Sequence, residues 1–267
     1  MKQRILILTL LSLVMAPSVI MARIHRAPHS HHISVSGVKD NWGCTVGFEN
    51  VGKKIFLIFS ADSAFEGATT ILETLKRHNA KGSFFFTGNC LRYAPNAASI
   101  ERVKAEGHFI GGHSDGHILY ADWDTSRTTL VTRDSLQADL KRNMLELKYA
   151  LSLFKKKPLN YYFLPPYEWY NKETLAWIEE TGLRPVCFTP GVGTSDDYTT
   201  PDMGDKYRGS QQLIDKLYQY EQVHGLDGAI ILIHPGTSPS RTDKLYDRLD
   251  EIMTHLEQLG DSFEQLP

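Results

Sequence analysis

Residues 55–86 read IFLIFSADSAFEGATTILETLKRHNAKGSFFF and contain one strand–helix–strand unit. The apolar runs at its two ends, 55–59 and 83–86, are typical of strands that are covered on both faces. Between them, the segment 67–79 carries apolar residues at helical spacing. Two buried strands joined by a helix predict a parallel sheet with helices packed against it.

The same alternation continues towards the end of the chain. We expect further strands at 108–110, 161–164, 186–188 and 229–233, and further helices at 96–106, 132–155, 171–181, 210–223 and 242–259. Along 132–155 one apolar stripe consists of Leu136, Leu140, Met144, Leu147 and Leu151. Six or seven strands are compatible with an irregular barrel and with an open doubly wound sheet. In both architectures the functional residues lie where the strands end.

The N-terminal residues predict a signal peptide over 1–22. Lys2 and Arg4 precede an apolar run that is interrupted by Pro17 and is followed by small residues. The run is shorter than the roughly 20 residues of a membrane span. We therefore expect a secreted or periplasmic protein with no membrane attachment after cleavage. Residues 23–52 are interpreted as a polar lead-in and N-terminal segment with four histidines, and 53–260 as one folded domain.

The composition excludes a strongly basic surface for nucleic acid. The 267 residues include 29 Lys and Arg and 31 Asp and Glu, which gives a net charge of −2. Three cysteines, Cys44, Cys90 and Cys187, are too few for a dense disulfide framework. In an oxidising compartment they could form one disulfide and leave one free thiol, or all three could be buried thiols.

Polar residues follow several of the predicted strands. Asp62 comes after the first strand, and the segment HSDGH places His113 and His117 after the third. If this segment is a helical turn, both imidazoles lie on one face, where they can hold a divalent metal. His234 follows the last strand, and a side chain that titrates near neutral pH suits general acid–base catalysis.

The segment FLPPYEWY, residues 163–170, crowds aromatic rings around one carboxylate. Sugar rings present apolar faces, so Pro166, Tyr167 and Trp169 are candidates for a sugar-binding cleft. The alternative is that these aromatic residues pack in the core. Asp197, in the polar loop GVGTSDDYTTPD, is a further candidate for substrate binding.

Taken in order, the segments FSAD, KGSFFFTG, HSDGH, FLPPY and LIHPG resemble the motifs of the polysaccharide deacetylase family, the NodB-homology domain of carbohydrate esterase family 4. The resemblance covers roughly 53–260. It implies an α/β fold, a distorted (β/α) barrel of about seven parallel strands with outer helices. It also implies hydrolysis of acetyl groups from N- or O-acetylated oligo- or polysaccharides.

The resemblance further implies a divalent metal held by Asp62, His113 and His117. One carboxylate and two imidazoles suit Zn²⁺ first, with Co²⁺, Ni²⁺ or Mn²⁺ as alternatives. The metal would polarise the acetyl carbonyl and acidify its bound water. His234 would protonate the leaving amine or alcohol.

Two positions depart from the family pattern. The family has two adjacent acids after the phenylalanine of the first strand, one a base and one a ligand, whereas Ser60-Ala61-Asp62 offers a single acid displaced by one residue. The arginine that steadies the base is replaced by Leu164. The two losses are consistent with each other, because an arginine without its acid would be unpaired.

Three explanations remain open for the missing base. In the first case, either metal-activated water needs no separate base or another carboxylate acts as the base. Glu168 is the first candidate for that carboxylate, followed by Asp196 and Asp197. Alternatively, Asp62 is the base and the metal has a different third ligand. In the third case the chain is a metal-bearing carbohydrate-binding pseudoenzyme with little turnover. Near His234, Arg241 or Asp243 could orient its ring, or Thr242 or Asp243 could only cap the last helix.

Overall fold

The computed structural model describes residues 35–151 and 162–267. In these residues strands and helices alternate as the apolar pattern predicts. The strands are β1 (Ser36–Lys39), β2 (Thr45–Glu49), β3 (Lys54–Ala61), β4 (Ser83–Phe86), β5 (Phe109–Gly112), β6 (Tyr162–Phe163), β7 (Arg184–Pro185), β8 (Ile230–Ile233) and β9 (Ser262–Glu264). The helices are α1 (Ala68–Arg77), α2 (Gly88–Arg92), α3 (Ala97–Ala105), α4 (Arg133–Ala150), α5 (Lys172–Glu179), α6 (Ser210–His224) and α7 (Leu249–Gln258).

Seven strands form one parallel sheet. Their spatial order is β7-β6-β5-β4-β3-β8, and β9 pairs with β3. The register aligns the carboxyl ends of the strands, because Ala61 lies opposite Phe86, Phe86 opposite Gly112, and Gly112 opposite Phe163. The next residue of each strand therefore reaches the same edge of the sheet. The functional side chains are positioned by this alignment of the strand ends.

The sheet separates two cores because successive strand residues face opposite sides. Leu57 and Phe59 pack outward with the buried faces of α1 and α7, whereas Phe56 and Ile58 pack inward with Phe85. All five residues are at most 1% exposed. The continuous apolar run of the quoted segment is thus explained by burial on both faces.

A β-hairpin closes the gap between the two edges of the sheet. Thr45 in β2 forms a bridge with Val186 beyond β7, and Gly47 forms a bridge with Ala229 before β8. The backbone nitrogen of Cys187 also donates to the Thr45 carbonyl at 2.8 Å. These pairings resolve the choice that the sequence leaves open, and the fold is a distorted (β/α) barrel.

Several boundaries differ from the sequence-based expectations. Strands β1, β2 and β9 lie outside 53–260, where β1 pairs with β2 and β9 pairs with β3. The strand expected at 186–188 lies at Arg184–Pro185. The Val186 nitrogen still donates to the Phe163 carbonyl of β6 at 2.9 Å, while Val186 also forms a bridge with Thr45 and the Cys187 nitrogen donates to the Thr45 carbonyl.

Of the two longest predicted helices, the first has the predicted buried stripe and the second begins later than predicted. Four residues of the α4 stripe are at most 3% exposed, and Met144 packs against the core. Residues 152–155 of that prediction lie outside the described residues. The last helix begins at Leu249 rather than at 242, after a short 3-10 turn.

The described part of the chain contains no helix that is long and apolar enough to cross a membrane. The predicted signal peptide and the four lead-in histidines lie outside the described residues. The cysteines Cys44, Cys90 and Cys187 are all free and buried, which is the second of the two alternatives.

Candidate active site

A cavity of about 840 Å³ opens at the carboxyl edge of the sheet. The loops that follow β3, β5, β6 and β8 line it, together with the loop that contains residues 195–198. Seven of the predicted site residues reach this cavity: Asp62, His113, His117, Tyr167, Glu168, Trp169 and His234. Pro166 and Asp197 are buried beside it and do not line it.

Asp62 is held by two residues that follow β4, the strand next to its own. Its carboxylate Oδ1 accepts hydrogen bonds from Thr87 Oγ1 at 3.0 Å and from Asn89 Nδ2 at 3.1 Å. Thr87 also caps α2, since its hydroxyl accepts from the Cys90 backbone nitrogen at 3.0 Å. The sequence analysis did not single out Thr87 or Asn89, although both follow a strand and the same rule would have found them.

His113 follows β5, and hydrogen bonds fix both its backbone and its ring. Its backbone nitrogen donates to Asn143 Oδ1 at 3.1 Å, and its ring Nδ1 lies 2.8 Å from the Leu164 carbonyl oxygen. A carbonyl can only accept, so Nδ1 carries the proton and Nε2 keeps its lone pair. Burial first, and then the neighbouring His117, lower the pKa of His113 well below 6.5. The imidazole is therefore neutral, as a metal ligand must be.

His117 lies beside His113 without a helical turn. The backbone φ is 73° at Ser114 and 51° at His117, so the segment is a loop, and the helical turn that would place both rings on one face is not formed. The loop still brings the two rings together, with centroids 4.9 Å apart. Burial lowers the pKa of His117, and the Asp62 carboxylate opposes that shift.

The donor set fits a divalent metal by its chemistry. His113 and His117 are neutral imidazoles, and Asp62 acts electrostatically on His117 from the same cavity. Across residues 35–151 and 162–267, no three His, Cys, Asp or Glu side chains already stand close enough together to hold an ion.

Glu168 directs a carboxyl group into the cavity. Its Oε1 lies 3.7 Å from His113 Nε2, and its side chain is 11% exposed. That oxygen is buried, and among residues 35–151 and 162–267 it has no hydrogen-bond partner. Tyr167 and Glu168 both adopt positive φ, 59° and 50°, a strained conformation for residues with a Cβ. Burial raises the pKa of Glu168 to about 7, although His234 opposes the shift.

His234 follows β8 and forms a pair with Asp197. Its Nδ1 lies 2.5 Å from Asp197 Oδ1, and its backbone nitrogen donates to Asp197 Oδ2 at 2.9 Å. Asp197 is 1% exposed. Burial lowers the pKa of His234, but Asp197 and then Glu168 outweigh it and raise the pKa to about 9. Asp197 therefore supports His234, and its carboxylate does not face a substrate as expected.

The other residues suggested near His234 have different roles. Asp243 Oδ2 accepts from the Ser210 backbone nitrogen at 2.5 Å, so it caps α6 rather than α7. Arg241 is fully buried and donates to the backbone carbonyls of Thr199 and Arg208 at 2.7 and 2.9 Å. These bonds hold the loop after β8 against the segment before α6.

Aromatic rings form one wall of the cavity. Tyr167 is 44% exposed, and Trp169 stands next to it in the segment after β6. Trp123, which is 57% exposed, adds a third ring from the loop after β5. Nothing in the sequence analysis identified Trp123. Its only sequence signal is that it follows the HSDGH segment in the same strand-end loop.

Comparison with known proteins decides the family. Residues 49–186 match the family model described as polysaccharide deacetylase, which is more than half of the chain. The chain belongs to the polysaccharide deacetylase family. A curated relative of this chain is the peptidoglycan-N-acetylmuramic acid deacetylase PdaA of Bacillus subtilis, 29% identical over 216 residues, which are 80% of this chain and 70% of that protein.

Two solved structures of the family share the fold. The Bc1960 peptidoglycan N-acetylglucosamine deacetylase has a TM-score of 0.65 and 23% identity, over 83% of this chain and 90% of that chain. BA3943 of Bacillus anthracis, a CE4 family pseudoenzyme, has a TM-score of 0.62 and 19% identity, over 85% and 68% of the two chains. Both likenesses confirm the barrel.

The structure shows what occupies the two positions that depart from the family pattern. Leu164 is fully buried in the barrel interior, so no arginine enters the cavity from β6. Ala61 is 1% exposed, and Ser60 lines the cavity. The Ser60 side chain lowers the pKa of Glu168 against the larger effect of burial, so a carboxyl group from the segment after β6 lies at the end of β3.

Proposed function

We propose that the protein is a metal-dependent hydrolase that removes acetyl groups from acetylated glycans, with Glu168 in place of the missing acid. The observation that carries this proposal is Glu168 Oε1, a buried oxygen without a hydrogen-bond partner in the described part of the chain, which lies 3.7 Å from His113 Nε2 in the cavity that also contains His234. A buried carboxyl oxygen that accepts no hydrogen bond is costly for stability, which favours a functional reason for its placement.

The names of the relatives support a bacterial cell-wall substrate. PdaA is named a deacetylase of peptidoglycan N-acetylmuramic acid, and a Bacillus cereus relative, 25% identical over 222 residues, is named a peptidoglycan-N-acetylglucosamine deacetylase. We infer that the substrate here is likewise an acetylated saccharide of this class. Amide and ester acetyl groups present the same carbonyl, so the proposed reaction applies to either.

Asp62, His113 and His117 would hold the metal, with Zn²⁺ as the first expectation and Co²⁺, Ni²⁺ or Mn²⁺ as alternatives. A bound divalent ion supplies Lewis-acid polarisation of the acetyl carbonyl and acidification of a water molecule. The Leu164 carbonyl fixes the His113 tautomer and so directs Nε2 to the site. Thr87 and Asn89 hold one oxygen of Asp62, which leaves the other free to bind.

The chain's own groups move the protons. Glu168, whose pKa of about 7 lies near neutrality, accepts the proton of the attacking water through its unpaired carboxyl. His234 is protonated below its pKa of about 9 and donates a proton to the departing sugar amine or alcohol. Asp197 accepts from Nδ1 of that ring, which leaves Nε2–H as the donor.

A second candidate function is a metal-bearing carbohydrate-binding pseudoenzyme. Ala61 and the fully buried Leu164 favour it, since neither an acid at position 61 nor an arginine at position 164 enters the cavity. On this hypothesis the wild-type chain binds saccharide without releasing acetate. The double variant Ala61→Asp with Leu164→Arg would then gain activity.

Acetate release tests both functions. Metal-loaded protein is incubated with chitin oligomers, acetylated xylan and peptidoglycan fragments, before and after chelation. We expect release from at least one substrate, loss on chelation, and recovery with Zn²⁺ or Co²⁺. If saccharide binds but no substrate in the panel is deacetylated, the pseudoenzyme is the correct function.

We also propose that the protein is exported, with residues 1–22 as the signal peptide. The charged start, the short apolar run and the small residues after it support this proposal. N-terminal sequencing of the protein recovered from the medium or periplasm should begin near residue 23. An intact Met1 in the mature protein would contradict it.

A further inference from the structure

The loop that joins the two proposed histidine ligands has a strained backbone. Residues 113–117 belong to no helix or strand, and Ser114 and His117 adopt positive φ, 73° and 51°. Residues with a Cβ rarely take this conformation, and it persists only where the surroundings hold it. The relative position of His113 and His117 therefore depends on contacts from other elements.

Asp139, on α4, contacts this loop through both carboxylate oxygens. Its Oδ2 accepts from Ser114 Oγ at 2.7 Å and from the Asp115 backbone nitrogen at 3.0 Å, and its Oδ1 accepts from the Gly116 nitrogen at 3.0 Å. The Asp139 side chain is 1% exposed, so water does not compete for these bonds. One buried carboxyl group thus binds all three residues that lie between the two histidines.

The position of Asp139 is fixed by its helix. Leu136 and Leu140, on either side of it along α4, are at most 1% exposed and pack in the core. One turn further along α4, the fully buried Asn143 accepts from the His113 nitrogen at 3.1 Å. A rigid helix therefore holds the loop both at its first residue and in its middle.

Helix α2 makes a separate set of contacts with the same loop. The backbone nitrogens of Gly88 and Asn89 donate to the carbonyls of Ser114 and Asp115 at 3.1 and 3.2 Å. These bonds do not involve Asp139, so the loop keeps a second attachment when that carboxylate is replaced. We therefore expect a substitution at Asp139 to shift the loop rather than to unfold the domain.

Asp139 also places a negative charge beside the proposed metal ligands. It raises the pKa of His117, as Asp62 does more strongly, although burial outweighs both. Arg142 Nη2 lies 3.6 Å from Asp139 Oδ1, but the Arg142 side chain is 58% exposed, so solvent screens much of its charge. A buried carboxylate close to neutral imidazoles favours a bound cation.

We propose that Asp139 is a positioning residue of the metal site, which fixes the relative position of the His113 and His117 rings and thereby strengthens metal binding. This inference rests on the proposed function, because the two histidines are ligands only under it. Asp139 contacts neither ion nor substrate in this role. It acts through the three residues between the ligands, 114–116, and through its charge.

Zinc binding to the full chain tests this role without turnover. The probe is Zn²⁺ alone, with Kd measured by competition against a chelator of known affinity. The wild type and all variants carry alanine at the lead-in histidines 25, 29, 31 and 32, which could otherwise bind the ion. Asp139→Asn keeps the size of the side chain and removes its charge. Asp134→Asn, at an exposed position in the first turn of the same helix, is the control.

We expect Asp139→Asn to raise the Kd of Zn²⁺ roughly 10- to 100-fold, the usual effect of losing a group that supports metal ligands from behind. Asp134→Asn should change the Kd less than about twofold, because solvent screens its charge. Thermal unfolding of the metal-free protein measures the fold separately. A residue that only stabilises the fold would lower the unfolding temperature and leave the Kd unchanged, and this result would overturn the proposal.

A second variant decides the question if Asp139→Asn does not fold. Ser114→Ala removes the 2.7 Å bond to Asp139 and keeps the carboxylate. A smaller rise in the Kd of Zn²⁺ supports the positioning role, and an unchanged Kd overturns it.

The same measurements separate this role from the proposed function. Loss of zinc binding in His113→Ala, with an unchanged Kd in Asp139→Asn, would overturn the positioning role and leave the proposed ligands standing. A raised Kd in Asp139→Asn, for a wild-type chain that releases no acetate, would support the positioning role and contradict the proposed hydrolysis. A wild-type chain that binds no Zn²⁺ would overturn both.

Discussion

Asp197 contacts His234 through both carboxylate oxygens, one 2.5 Å from the ring Nδ1 and the other 2.9 Å from the backbone nitrogen. The pair joins the loop before α6 to the end of β8, across 37 residues of sequence. Because Asp197 is buried and accepts at Nδ1, it fixes both the orientation and the tautomer of the imidazole. Two predictions concern this pair.

The first prediction concerns the pH dependence of acetate release. His234 must be protonated to act as an acid, so wild-type activity should fall as pH rises through about 9. The variant Asp197→Asn loses the carboxylate that raises the pKa of His234, whereas burial still lowers that pKa. The fall in activity on the alkaline side should therefore occur more than one pH unit lower. At neutral pH we expect kcat to fall by roughly 10²-fold, the lower end of the contribution of general acid catalysis. An unchanged limb would show that His234 is not the acid.

The second prediction concerns stability. The folded pKa of His234, about 9, lies above the ordinary value of 6.5. Its pairing therefore stabilises the fold fully below pH 6.5, and this contribution is lost as pH rises through 9. Urea unfolding should show a larger difference between the wild type and Asp197→Asn at pH 6 than at pH 9.5. The opposite trend, with the larger difference at high pH, would contradict the assignment of a charged pair.

The third prediction concerns the metal. Metal content per chain should fall sharply in His113→Ala and in His117→Ala, whereas His224→Ala, an exposed histidine on α6, should retain it. The measurement is elemental analysis after dialysis. Because the lead-in histidines at 25, 29, 31 and 32 could also bind metal, each variant is paired with one in which these four are alanine. Full metal retention in both histidine variants would exclude the proposed ligand set.

The strands that build the sheet could be predicted because their signal is local. Runs such as 55–59 and 83–86 are apolar without interruption, and burial on both faces of a parallel sheet demands that pattern. The strand-end rule then placed Asp62, His113 and His234 at one edge, and the structure brings all three to one cavity. Glu168 was also the first substitute that the sequence suggested for the missing acid.

The remaining features depend on contacts between distant residues. The pairing of β2 with Val186 and Ala229 joins positions more than 140 residues apart, and its five residues carry no signal for that pairing. Sequence offered Arg241 and Asp243 as partners of His234, whereas the fold brings Asp197 there. Trp123 was missed because its exposure results from a hairpin whose conformation is set by Arg127 and Trp169.

Glu168→Gln tests the central claim most directly, since it removes the charge of the unpaired carboxyl and keeps its size. Acetate release from a substrate of the wild type is compared at equal metal content and at the pH of maximal activity. The proposed function predicts a rate lower by at least roughly 10²-fold, the contribution of a general base, with metal content unchanged. A variant as active as the wild type would contradict the role of Glu168, and loss of the metal itself would make Glu168 a ligand instead of the base.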